Sequence, residues 1–441
     1  MLMSNKAVVK QDAKLALTPK LRFPEFRDAD GWREGRIADI ADVLQGYGFP
    51  ESYQGQTAGE YPFYKVSDIS NTLAIGKVFI KGAANHITEG VMKKLKAKPI
   101  PEGTTIFAKI GEAIRSNRRA ITTKPCLIDN NVAGVKRVEG KSTDLFMYFT
   151  METISLIDYS GGAVPSVNKS AIENISVRFP KIEEQQKIAE CLSTLDEVIA
   201  AQSQKLDALK THKKGLMQQL FPREGETLPR IRFPEFLAAP KWVAMPLREL
   251  LPITSSKRVH ESDWTTEGVP FYRAREIVAL HNRQKISPLF INEELYKRNA
   301  KASGEIAAGH LLVTGVGSIG VPYLVADNDR FYFKDGNIIW LKNDGARLLG
   351  KYLFYIYQTR YVQNQITTMA GVGTVGTYTI DNANKTIVAF PEDRNEQQRI
   401  ANCLTSLDDL ITAHSAKLSA LKTHKKGLMQ QLFPSPEEVE A

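Results

Sequence analysis

The chain has 441 residues, 43% of them hydrophobic, and a formal charge of +9 from 58 basic and 49 acidic side chains. That length allows about three domains, and the apolar content supports packed cores, which excludes a disordered chain. The positive excess points to a polyanionic partner such as nucleic acid; three cysteines make no disulfide framework and read as reduced thiols of a cytoplasmic protein; no apolar run is long enough to span a bilayer.

In chain order, residues 1–18 lack the apolar core of a signal peptide and read as a loose arm. Residues 19–180 read as a mixed α/β domain. Short β-rich runs such as Thr104–Ala108 lie between glycine turns, Leu145 to Ile157 looks helical, and a loop at Ser160-Gly161-Gly162 precedes a last short strand. Residues 181–222 form a long helix. Residues 223–391 hold a linker and a second mixed α/β domain, with a strand at Leu311–Thr314, a helix over Leu348 to Ile366 and a loop at Ala370-Gly371-Val372-Gly373. Residues 392–434 form a second long helix, and residues 435–441 an acidic tail.

The chain is an internal repeat, and repeats decide a fold before local motifs do. Residues Glu183 to Pro222 return as Asn395 to Pro434, and Ala208 to Pro222 is identical to Ala420 to Pro434. The repeat extends beyond the helix. Leu21-Arg22-Phe23-Pro24-Glu25-Phe26 returns as Ile231-Arg232-Phe233-Pro234-Glu235-Phe236, Trp32 as Trp242, and Pro62-Phe63-Tyr64-Lys65 as Pro270-Phe271-Tyr272-Arg273. Elsewhere the two domains differ freely. The fold class expected is α+β: two mixed α/β domains joined by two long antiparallel helices, coiled-coil-like, in a pseudo-two-fold repeat.

The helices rest on apolar spacing in steps of three and four. Ile188, Leu192, Leu195, Ile199, Leu206, Leu209, Leu216 and Leu220 form one stripe; Ile400, Leu404, Leu407, Ile411, Leu418, Leu421, Leu428 and Leu432 form the other. Proline residues at 222 and 434 stop them. Each would run roughly 55 to 60 Å at 1.5 Å per residue. Two such stripes can pack on each other and place the intervening domains at opposite ends; the alternative is that each helix caps its own domain. The polar interruptions Gln202 with His414 and Lys213 with Lys425 are expected to fix register. Met217 and Phe221, with Met429 and Phe433, lie off the stripe and form an apolar patch for another subunit or for the chain's own domains.

Basic residues cluster with polar ones. Lys109, Arg115, Asn117, Arg118 and Arg119 in the first domain, and Arg273, Arg275, Arg283 and Arg330 in the second, are candidates for phosphate contact or base-edge readout. Tyr64 with Lys65 and Tyr272 with Arg273 stand at matching positions of the repeat and join the candidates. The run Lys93 to Lys98 reads as a solvated helix face.

Catalytic signals fail on context. Gly315-Val-Gly317-Ser-Ile-Gly320 and Gly371-Val-Gly373-Thr-Val-Gly376 match a dinucleotide loop but are followed by strand-like sequence, so they read as turns. Gly140-Lys141-Ser142 lacks the glycine a phosphate loop needs, since Val135 occupies that position. The histidines have no metal-ligand spacing, and no Asn-Pro-Pro-Tyr or Asp-Pro-Pro-Tyr tetrapeptide is present.

The order of the Phe-Pro-Glu-Phe openings, the Pro-Phe-Tyr-(Lys/Arg) strand, the Glu-Gln-Gln-(Lys/Arg)-Ile-Ala helix start and the duplicated Ala-Leu-Lys-Thr-His-Lys-Lys-Gly-Leu-Met-Gln-Gln-Leu-Phe-Pro is highly specific. Over essentially its whole length the chain resembles the specificity subunit of a type I restriction-modification system. The resemblance implies two target recognition domains, each reading one half of a split, asymmetric site in double-stranded DNA, the first domain the 5′ half. It implies helices that set the unread spacer and dock two methyltransferase subunits. S-adenosylmethionine, ATP and Mg belong to partner subunits, including motor-nuclease subunits in the full complex, and no cofactor belongs to this chain. A stand-alone bipartite DNA-binding regulator and a non-DNA scaffold are the competing readings.

Overall fold

The structure, a computed structural model, describes residues 18–334, 336–371 and 376–434. Most of the N-terminal arm, the acidic tail and Val372 to Val375 of the second glycine loop lie outside the described residues. The chain divides into two units. One takes the residues up to Asp207 together with those from Ala413 on; the other is Ala208–Thr412. The unit boundaries fall inside the long helices.

In the first unit a five-stranded sheet runs in the order Ala41–Gln45, Val132–Arg137, Thr105–Ala108, Arg119–Thr122, Phe79–Ile80. Its pairs are antiparallel except the last. Thr105–Ala108 and Arg119–Thr122 are buried at every position, so both faces of this sheet are covered. A three-stranded sheet (Asn85–Ile87, Tyr61–Tyr64, Leu127–Ile128) lies beside it. Helix Asp144–Thr153 buries six consecutive residues, Phe146 to Met151. It starts on Thr143, whose hydroxyl caps the Phe146 amide. It ends sooner than its composition suggests, and a 3-10 turn follows at Leu156–Tyr159. The carbonyl of Ile154 instead accepts hydrogen bonds from Asn117 and Arg119.

The second unit repeats this layout. A four-stranded antiparallel sheet runs Ile253–Thr254, Ile338–Leu341, Leu311–Thr314, Pro322–Leu324. A second sheet runs Trp264–Thr265, Leu289–Ile291, Val269–Tyr272, Tyr332–Phe333. The segment expected as one helix is two, Gly350–Tyr357 and Arg360–Ala370. Thr359 breaks it by capping the second helix through the Val362 amide. The glycine loop at 315–320 joins two strands, with Gly317 and Gly320 at positive φ, and is a turn.

In each unit a two-stranded ribbon brings the domain's first and last strands together beside a long helix: Arg33–Arg36 with Ser176–Phe179, and Val243–Pro246 with Ile387–Phe390. The long helices are Ile182–Leu220 and Arg394–Leu432. Each unit contains the first part of one and the last part of the other, running antiparallel. In the first unit Lys425 pairs with Asp196 and His414 meets Gln202. In the second, Lys213 pairs with Asp408.

Of the stripe residues, Ile188, Leu192, Leu206, Leu220, Ile400, Leu404 and Leu432 are buried, and Leu195, Ile199, Leu209, Leu216, Leu407, Ile411, Leu418, Leu421 and Leu428 are half-buried. Both readings of the helices hold in part. Ile188 and Leu192 pack into the first domain's core with Trp32 and Phe146, while Gln202 and His414 engage each other farther along. Lys213 and Lys425, the other polar interruptions, each pair with an acid of the facing helix, Asp408 and Asp196.

Candidate nucleic-acid interface and its frame

The opening element of each repeat is anchored by a buried ion pair. Arg22 donates to both carboxylate oxygens of Glu184 at 2.8 and 2.7 Å, and the Trp32 indole donates to Glu184 at 3.2 Å. Arg232, Glu396 and Trp242 reproduce this with 2.7, 2.7 and 3.1 Å. Two-point pairing of a planar guanidinium with a carboxylate fixes orientation as well as distance. The next residue of the helix start, Gln185, bonds the Lys141 and Pro180 carbonyls and the Thr143 amide. Gln397 makes the equivalent set with Arg347, Pro391 and Leu349. The Glu-Gln pair thus welds each long helix to its own domain. In the sequence Arg22, Trp32 and Glu184 stand out only by their return as Arg232, Trp242 and Glu396, which is the signal that could have singled them out.

Of the two readings of the apolar patch, the phenylalanines follow packing against the chain's own domains. Phe221 and Phe433 are buried within the chain. Phe433 packs 5.8 Å from Trp32 and 5.7 Å from Phe146. Phe221 packs 6.3 Å from Trp242 and 5.5 Å from Tyr352. Each is the hydrophobic end-stop of a helix, packed into the core of its own unit. Met217 and Met429 are half-buried and lean on the same cores.

Among the candidate DNA contacts, Tyr64 and Arg119 are corrected. Tyr64 is fully buried, burial raises its phenol pKa, and its hydroxyl contacts only the Ile80 carbonyl at 3.4 Å. Arg119 is 2% exposed; it bonds the Asn117 carbonyl at 2.6 Å, the Asn117 side chain at 2.8 Å and the Ile154 carbonyl at 2.9 Å. Burial lowers its pKa to about 10. It is a structural arginine, and Asn117, in the left-handed region at φ 49°, is committed to the same network. Burial also lowers the pKa of Lys109, half-buried against Gln45.

Other candidates reach the surface. Arg118 is exposed and has no ion pair among the described residues; Arg115 is exposed beside Glu112. Arg275 is exposed and bonds Glu276 at 2.6 Å. Arg330 reaches Glu293 and lies 5.1 Å from the Tyr296 ring, and Arg283 bonds the Asp408 carbonyl at 3.2 Å.

The matched cations Lys65 and Arg273 share a setting built from different residues. Lys65 lies 5.3 Å above Phe49, which stacks on Phe63 at 3.8 Å, and its ammonium donates to Gln54 at 2.6 Å. Arg273 lies 5.8 Å from Trp264, which sits 6.5 Å from Phe271. Each backbone amide caps a helix through an acid three residues on, Asp68 at 2.8 Å or Glu276 at 3.0 Å. Arg273 is further held by Glu276 at 2.9 Å. Burial opposes ionisation of Glu276, but bonds from Arg273 and Arg275 hold its pKa below the ordinary range. A cation on an aromatic shelf is oriented while keeping its charge available. Tyr272 is half-buried and stacks on Phe331 at 4.3 Å.

The family described as type I restriction modification DNA specificity domain matches this chain twice, over residues 29–211 and 240–423. The chain belongs to that family. Among similar specificity subunits is that of the type I restriction enzyme MjaVIII of Methanocaldococcus jannaschii, 23% identical over 423 residues that cover 94% of this chain and 93% of the relative. The putative subunit S.HindORF215P of Haemophilus influenzae is 23% identical over 286 residues, covering 64% and 69%. The crystal structure of the type I S subunit from M. genitalium covers 95% of this chain and 99% of its own at a TM-score of 0.58 with 16% identity. A second structure, described by the complex assembly and conformational transition of the type I restriction-modification system, covers 92% and 98% at 0.54 with 15% identity. The fold of the specificity subunit is thereby shared. No helix among the described residues is long and apolar enough to cross a membrane.

Proposed function

We propose that this specificity subunit reads an asymmetric, bipartite site in double-stranded DNA, the first unit taking the 5′ half and the second the 3′ half. The observation that carries this reading is the double family match, on units that share a layer order but few exposed side chains. Unlike readers on a like frame select unlike half-sites. The surface candidates are Lys65, Lys109, Arg115 and Arg118 in the first unit, and Arg273, Arg275, Arg283 and Arg330 in the second. Phosphate contacts from such side chains position the readers, and base-edge contacts select the sequence. Linking two modest half-site interactions in one chain raises overall affinity through effective concentration.

The continuous helices set the unread spacer and dock two methyltransferase subunits, with motor-nuclease subunits joining in the full cytoplasmic complex. S-adenosylmethionine, ATP and Mg are held by those partners, and this chain supplies recognition without catalysis. Methylation-sensitive sequencing of host DNA tests the reading. A split motif is expected, and exchanging residues 21–180 for another recognition domain should rewrite one half of it only. Inserting one heptad after Gln202 should lengthen the spacer or abolish modification. Unchanged modification after both alterations would refute the reading. Duplex binding without any recovered methyltransferase would favour a stand-alone regulator.

A further inference from the structure

The first long helix ends beside a groove that none of these roles uses. The second unit contains a cavity of about 820 Å³ between the last turns of that helix and helix Arg360–Ala370. Its floor is apolar, with Met217 and Tyr361 half-buried. Its rim is cationic. Lys210, Lys214, Arg223 and Arg360 are exposed, and none has an ion pair among the described residues. Lys213 also lines it, but its charge is engaged by Asp408 at 2.7 Å. The single carboxylate in the lining is Glu224.

Among the described residues, the identical sequence at the end of the second helix does not build the same site. Gln185 bonds the Thr143 amide where Gln397 bonds that of Leu349, which aligns Glu152 with Gln358 and Ile154 with Arg360. In the first unit the aligned segment contains the short turn Leu156–Tyr159 in place of helix Arg360–Ala370, and Glu152 takes up Lys425 at 2.9 Å. The residue after Pro222 is Arg223, whereas Ser435 follows Pro434. The repeat therefore supplies the same helix end against unlike walls: Arg360 and Tyr361 align with Ile154 and Ser155.

We infer that this groove receives an acidic segment of a methyltransferase subunit. An apolar side chain enters between Met217 and Tyr361, and flanking carboxylates meet Lys214, Arg223 and Arg360. The matching end of the second helix holds the same kind of subunit more weakly. This rests on the partner reading above and adds that the two docking sites are unequal. Charge complementarity selects an acidic occupant, and the apolar floor selects a protein segment over a DNA backbone, whose phosphates offer no apolar anchor.

The test uses the full chain with the methyltransferase subunit of the same host, followed by native mass spectrometry through a salt titration. The unaltered chain should carry two methyltransferase subunits at low salt and lose one well before the other. R223E/R360E reverses two exposed charges outside the identical stretch. It should weaken the tighter site at least tenfold and flatten its salt dependence, whereas R223K/R360K should retain it. Two sites unaffected by R223E/R360E overturn the groove and leave the proposed function standing. An unaltered chain that binds no methyltransferase removes the partner, and the groove's role with it. Loss of duplex binding alone in R223E/R360E would assign the groove to DNA and overturn the inference.

Discussion

The amide nitrogen of Gln202 lies 2.7 Å from Nδ1 of His414 and donates to the His414 carbonyl at 2.9 Å. These residues occupy the same position in the two copies of the repeat, so each meets its own counterpart. Around them the seam is aliphatic, and a polar pair there fixes register at some expense of stability. Q202L should cost about 1 kcal/mol by leaving the His414 ring without its partner. Q202L/H414L should recover that loss, because removing both polar partners restores an apolar seam. Denaturant titration of Q202L, H414L and Q202L/H414L in a double-mutant cycle measures the coupling, and additive losses would show that the pair is not coupled.

Lys425 sits between Asp196 and Glu152, at 2.8 and 2.9 Å. Burial raises the Asp196 pKa against the pull of Lys425. For Lys425, burial pulls the pKa down, but the two acids lift it above its ordinary value. A carboxylate whose folded pKa is raised binds more protons when folded, so its contribution to stability falls as pH rises through that window. K425M removes the only cation of the cluster. It should cost about 3 kcal/mol at neutral pH, as expected when a buried pair loses one member. The deficit should shrink as pH falls toward the carboxylate range. Unfolding midpoints measured across that range check the slope; a pH-independent deficit would contradict the assignment.

Gly215 and Gly427 lie inside the long helices, and an added Cβ at either would meet nothing within 4 Å. G215A and G427A should each stabilise the chain by about 0.5–1 kcal/mol, because alanine loses less backbone freedom in a helix. Thermal melting reads the gain. Assembly with partner subunits, measured on the same variants, reports whether a partner backbone approaches the bare glycine.

Arg118 and Arg119 are neighbours with opposite roles. R118A should weaken duplex binding and reduce the salt slope by about 1 while leaving the melting temperature unchanged. R119A should do the reverse, destabilising the first unit by leaving the Asn117 carbonyl without its Arg119 donor and Ile154 with one donor in place of two. Binding isotherms at several salt concentrations, paired with melting curves, separate the two effects.

The repeat and the long helices were legible because they are written in spacing, which survives without tertiary information. The α/β character of the domains was legible from glycine-bounded β runs. The break at Thr359 was not, since an N-capping threonine inside an apolar pattern is locally ambiguous. Charge alone also misled at Arg119. An arginine between polar residues looks solvent-facing until the Ile154 carbonyl is placed above it. Phe221 and Phe433 look like free apolar surface in the sequence because their partners, Trp242 and Trp32, lie in separate segments. Lys213 and Lys425 stood out as interruptions, but the acids that neutralise them, Asp408 and Asp196, lie off the stripe and drew no attention.

The opening of each repeat is seated on the last turn of a long helix. The Ile231 amide bonds the Gln219 carbonyl at 3.0 Å, and the Leu21 amide bonds the Gln431 carbonyl at the same distance. In the first case the peptide chain runs directly from one partner to the other; in the second no such connection exists, yet the docking is reproduced. Covalent continuity at this junction is thus dispensable to the docking itself. A protease nick within residues 223–230 should leave two fragments that remain associated.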